Sequence, residues 1–92
     1  MKPEEVRRRI EECKEQRLKR LDLSNWNTYI SNEEKLTAIP AEIFDFAWLE
    51  ELYLANNRLT EIPDSICRLQ NLSALFLSEN RLREIPRVIA YW

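Results

Sequence analysis

The apolar positions of this chain repeat. Leu49, Leu52, Leu54, Asn57, Leu59, Ile62, Pro63 and Ile66 recur in identity as Leu72, Leu75, Leu77, Asn80, Leu82, Ile85, Pro86 and Ile89, at one fixed offset of 23 residues. The register runs backwards through Leu18, Leu21 and Leu23, and then through Leu36, Ile39, Pro40, Ile43 and Phe46. Eight more residues lie between Leu23 and Leu36 than between Leu54 and Leu59. Self-similarity of this period marks a repeat architecture. It predicts three repeats, 18–48, 49–71 and 72–92, the first carrying an insertion at about 26–35.

Within each repeat the period changes. Leu-x-x-Leu-x-Leu reads as a short strand with alternate residues turned into a core, which leaves Glu51, Tyr53 and Ala55 on the opposite face. After the asparagine the apolar spacing becomes three, which a strand cannot follow. Prolines 40, 63 and 86 lack an N–H and fix φ, so each suits an irregular or 3₁₀-like outer segment. One repeat cannot bury its own leucines, whereas stacked repeats form a parallel sheet with a continuous core behind it. Asn57 and Asn80 fall where the chain leaves the strand, where a buried amide can bridge the backbones of neighbouring repeats. Asn25 or Asn27 takes that place in the first repeat.

The ends differ. Residues 1–17 predict an N-terminal capping helix: Pro3 suits its first position, Glu4 and Glu5 favour the positive end of the dipole, and Val6, Ile10 and Cys13 make one apolar stripe to cover the first repeat. The third repeat stops at Tyr91-Trp92, with position 92 equivalent to Leu69. An uncovered last repeat exposes its edge strand, so the expectation is either a longer array or a homodimer meeting end to end through Ile89, Tyr91 and Trp92.

The run Leu-Tyr-Leu-Ala-Asn-Asn-Arg-Leu-Thr-Glu-Ile-Pro, residues 52–63, resembles the 23-residue cytoplasmic and bacterial class of leucine-rich repeats, and the resemblance covers about residues 18–92. It implies an α/β fold, a short right-handed leucine-rich-repeat solenoid whose parallel sheet lines a concave, partner-binding side. The Arg-rich helix leading into Leu-Asp-Leu-Ser is similar, more distantly, to the repeat segments that precede GTPase modules in bacterial Roco-type proteins. The chain itself carries no nucleotide-binding motif.

Composition narrows the class. Of 92 residues 45% are hydrophobic and 33% charged, a globular balance, and no apolar run approaches the roughly 18 residues of a membrane span. The basic start, Met-Lys-Pro-Glu-Glu-Val-Arg-Arg-Arg, has no apolar stretch behind it and is no secretory signal. A cytoplasmic setting is the expectation for an untrimmed chain, with Cys13 and Cys67 both reduced and buried. Residues 1–20 hold eight Lys/Arg against five Glu, and residues 21–92 hold six against eleven acids: the helix end is basic and the body acidic.

Catalytic chemistry is scarce. The chain has no His and no Gly, which removes His-assisted nucleophiles, His/Cys metal sites and Gly-rich phosphate loops. The pairs Glu33-Glu34 and Glu50-Glu51 remain, but neighbours on a strand point to opposite faces, so Glu50 and Glu51 do not converge. The expectation is no enzyme, no cofactor and no metal. The Arg7-Arg8-Arg9 run is interspersed with acids at helical spacing, Arg7 to Glu11 and Arg8 to Glu12. A salt-bridged solvated face is favoured over nucleic-acid or membrane binding.

The concave positions align as Arg20, Asp22 and Ser24, then Glu51, Tyr53 and Ala55, then Ala74, Phe76 and Ser78. Strand spacing puts Tyr53 and Phe76 about 4.8 Å apart, an apolar patch suited to an interface. The function expected is a noncatalytic module binding a protein or peptide there, centred on Tyr53 and Phe76 with Glu51, Arg20, Asp22 and Ser78. The alternative is a structural or regulatory segment of a larger, GTPase-containing multidomain protein. Trp26, Tyr29 and Ile30 in the insertion are too apolar for a solvated loop, and packing over the first repeat or the helix is preferred to a partner contact.

Overall fold

The computed structural model describes residues 1–25 and 32–83. Helix α1 spans Pro3–Gln16 and is followed by strand β1 (Arg20–Asp22), β2 (Glu51–Tyr53) and β3 (Ala74–Phe76), with 3₁₀ turns at Asn32–Glu34, Ala41–Asp45 and Asp64–Arg68. The strands form one parallel sheet in the order β1-β2-β3. Leu52 stands opposite Leu75, the 23-residue offset, and Leu21 stands opposite Leu52, an offset of 31. The eight extra residues of the first repeat therefore leave strand pairing undisturbed.

The core lies between the sheet and the 3₁₀ segments. Leu23, Leu49, Leu52, Leu54, Leu59, Ile43 and Ile66 are fully buried, each worth about 1.5–3 kcal/mol of apolar transfer. Pro40 (φ −56) and Pro63 (φ −70) sit immediately before the 3₁₀ turns Ala41–Asp45 and Asp64–Arg68. The ring sets the entry angle where no N–H is required. Period three then turns Ile43 and Ile66 inward.

Asparagine joins the repeats; in the first, Asn25 is described and Asn27 lies outside the described residues. Asn57 is buried: its Nδ2 donates to the carbonyls of Leu23 and Leu54 at 3.1 Å, and its Oδ1 accepts from Asn25 Nδ2 at 2.7 Å and Leu36 N at 2.9 Å. Asn80 repeats the arrangement, donating to Leu54 O at 2.8 Å and accepting from Leu59 N at 3.0 Å.

Helix α1 starts at Pro3 with Glu4 and Glu5 in its first turn, and it buries Val6, Ile10 and Cys13 against the same core. It lies against β1, an edge strand, and Arg9 Nη1 donates to the Asp22 carbonyl at 2.9 Å, so a strand-edge acceptor is occupied. Burial pushes the Cys13 thiol up from its ordinary value, and its Sγ donates to Leu18 O at 3.5 Å, the surroundings of an inert packing residue.

Three expectations need correction, and one backbone feature had no sequence signal. Ala55 and Ser24, assigned to the open face, are buried; the strand period ends at Tyr53 and the chain turns inward, where Ser24 Oγ accepts from Ala55 N at 2.9 Å. Cys67 is exposed, because Ile66 takes the inward position of its turn. The Arg7–Glu11 and Arg8–Glu12 pairs give way to Glu5, which holds both Arg8 and Arg9; Arg9 is turned toward the sheet. Three residues, Arg17, Asn56 and Glu79, adopt left-handed backbone at φ 50, 55 and 56. Glycine would normally fill such positions, and this chain has none.

Candidate functional site

The sheet face turned away from the core carries two rows fixed by strand register. One row runs Arg20, Glu51, Ala74 and the other Asp22, Tyr53, Phe76. Parallel pairing at matched register brings equivalent side chains together across strands, and the expected neighbours meet.

The Tyr53 and Phe76 rings stack at 4.5 Å between centroids and 9° between planes. Phe76 is 44% exposed, the one exposed large hydrophobic among the described residues. Beside them Glu51 uses both oxygens, one accepting from Arg20 Nε at 2.9 Å and the other from the Tyr53 hydroxyl. The Tyr53 hydroxyl, and after it Arg20, holds the Glu51 carboxyl below its usual range. The same hydrogen bond to Glu51 raises the Tyr53 phenol and that from Arg20 raises the guanidinium. Arg20, Glu51 and Tyr53 are thus one linked group that fixes the tyrosine ring against Phe76.

Asp22 is half-buried; its Oδ1 accepts from Ser24 N at 2.9 Å, and it has no ion-pair partner among the described residues. Ser78 is exposed beyond the end of β3 and contributes its carbonyl to Asn56 N at 2.8 Å, so the structure does not bring it into either row. At the strand entrances Lys19 and Glu50 pair at 3.6 Å. Ile89, Tyr91 and Trp92 lie outside the described residues, as do residues 26–31 of the insertion. Its described end closes on the body through Lys35 Nζ, which donates to Asn56 Oδ1 at 3.3 Å.

A feature that residue spacing did not single out is Trp48. Its ring stacks on Phe46 at 4.9 Å, and the Arg17 guanidinium lies over it at 5.5 Å. Its only sequence signal was an aromatic one residue before a core leucine. Among the described residues no group of three or more His, Cys, Asp or Glu is placed to hold a metal ion, and no helix is long and apolar enough to cross a membrane.

A parallel sheet built from one short strand per repeat, with 3₁₀ return segments and an asparagine at each turn, defines a class of repeat protein that displays one face of its sheet. The family model for the leucine-rich repeat matches residues 16–82, and the chain belongs to the leucine-rich-repeat family. Domains of this family generally mediate protein–protein interactions and are typically noncatalytic. None of the curated proteins compared with the chain matches it.

Proposed function

We propose that the chain is a noncatalytic interaction module that binds a protein or peptide on the outward face of β1, β2 and β3. In this reading the three repeats, 18–48, 49–71 and 72–92, form a right-handed solenoid, that face is its concave side, and α1 caps the first repeat. The observation that carries it is the Tyr53–Phe76 stack, held rigidly by Glu51 and Arg20 yet open to solvent. Stacked aromatics already fixed in place lose little entropy on contact and anchor interfaces well. A cytoplasmic setting accords with two unbridged cysteines.

A peptide ligand selected by display against the whole chain tests this. Its footprint in amide chemical shifts falls on β2 and β3, and the double substitution Tyr53→Ser with Phe76→Ser weakens it at least about tenfold while the fold persists. A footprint on α1 or on the 3₁₀ segments, or undiminished binding by the folded double variant, sinks the proposal.

One observation favours a second reading, in which the chain is part of a larger assembly. Leu75 and Leu77 are only partly buried, whereas their counterparts Leu52 and Leu54 are fully buried. A further repeat, or a second copy meeting this end, would cover them.

A further inference from the structure

The two edges of the sheet are finished differently. At β1 the helix α1 lies across the edge and Arg9 takes the Asp22 carbonyl. At β3, which among the described residues pairs only with β2, Leu75, Leu77 and Leu82 pack on the core yet stay half-buried. Ala74 N donates to Glu50 O at 3.2 Å and Phe76 O accepts from Leu54 N at 2.8 Å, so the backbone groups of Ala74 and Phe76 face β2. The intervening residue of such a strand points the other way, which turns the Leu75 N–H and carbonyl to the open edge. An edge of this kind is a template for another strand.

We propose, building on the second reading above, that this edge receives β3 of a second copy, antiparallel about a two-fold axis at Leu75. Three observations select that occupant. The first is the outward backbone of Leu75, which in this register exchanges both of its hydrogen bonds with its own counterpart. The second is the fit on either side of it, where Ala74 of each copy falls opposite Phe76 of the other, at the closely spaced kind of cross-strand pair. The methyl leaves room for the ring; the ring, 44% exposed and already stacked on Tyr53, gains a cover on its free side. The third is closure: α1 covers β1, so each copy offers one edge and pairing stops at two rather than running into a fibre. The two three-stranded sheets become one continuous sheet with both Tyr53–Phe76 stacks near its centre. The molecule is 17 Å through its thinnest direction, which limits an end face to on the order of 500 Å² per copy, short of the roughly 800 Å² of a standard interface. The dimer is accordingly a weak one that forms at high protein concentration.

Sedimentation equilibrium of the whole chain between about 10 µM and about 1 mM should show monomer and dimer exchanging. In a mixture of labelled and unlabelled chains, isotope-filtered NMR should show the Ala74 methyl of one copy against the Phe76 ring of the other. Ala74→Phe sets two rings in one place and weakens dimerisation at least about tenfold, while the outward position spares the core. Adding Phe76→Ala to that variant exchanges ring and methyl and restores the dimer.

A monomer at the highest concentration, or a dimer without the Ala74–Phe76 contact, overturns the proposal. A folded Ala74→Phe chain that dimerises like the parent does so too, as does a folded double variant that stays monomeric. Hydrogen exchange then separates the two readings. In a monomer, a fast-exchanging Leu75 amide leaves this end open for a further repeat and the second reading standing, whereas a protected amide shows the end already covered and removes that reading as well.

Discussion

At the scale of single residues, the asparagines carry more than their number implies. Asn57 satisfies backbone groups from three stretches of chain while fully enclosed, and its loss leaves buried donors and acceptors without partners. Asn57→Ala is expected to cost about 3–5 kcal/mol in urea denaturation. The same change at the half-buried Asn80 costs about 1–2 kcal/mol, because water replaces part of what is lost. Equal costs would show that burial does not set the difference. Glu79 illustrates the opposite situation: it holds φ 56, where most side chains meet the backbone unfavourably and asparagine tolerates the strain. Glu79→Asn should stabilise by about 0.5–1 kcal/mol, read by the same titration, and Asn56 already shows the chain using that residue at the equivalent place.

At the scale of elements, α1 is held by its apolar stripe more than by its charges. Its ion pairs to Glu5 are partly open to solvent and contribute little, whereas Ile10 is 3% exposed. Ile10→Ala should therefore cost about 2–4 kcal/mol by thermal or chemical denaturation, and a loss below about 1 kcal/mol would mean that α1 is only loosely attached. The helix, the strands and the 3₁₀ segments after Pro40 and Pro63 were legible in the sequence, because each is written by a periodicity of 3.6, two or three, whereas the 3₁₀ turn Asn32–Glu34 lies in the insertion and has no such signal. What escaped the sequence lies at their junctions. The inward turn of Ser24 and Ala55 follows from a strand that ends at its third residue, and no apolar count marks that ending. The left-handed residues were invisible because glycine, their usual signal, is absent. On the open face, register made the Tyr53–Phe76 contact readable, whereas the bond from Tyr53 to Glu51 depends on a side chain reaching back along its own strand.

At the scale of the whole molecule, one core runs from Val6 on α1 to Leu72 before β3, and each strand pairs only with its neighbour. Nearest-neighbour pairing of three short strands leaves no described segment with a core of its own. Unfolding should be a single transition, with the far-UV circular dichroism of α1 and the methyl resonances of Leu52 and Leu75 lost at one denaturant midpoint. Two separated midpoints would reveal an independently folding part.

Two of the asparagine bridges, those of Asn57 and Asn80, also have a direction, whereas Asn25 donates forward to Asn57. Asn57 donates to Leu23 O and Asn80 donates to Leu54 O, so each reaches to the strand made before it, and their side-chain oxygens accept from Leu36 N and Leu59 N, which also precede them. A chain emerging from the ribosome supplies those partners before the asparagine that needs them. Each of these two turns meets partners already released. Deleting the chain through Leu23 should therefore deprive Asn57 of an acceptor and leave the partners of Asn80 in place, while a break near the far end leaves the earlier bridge whole.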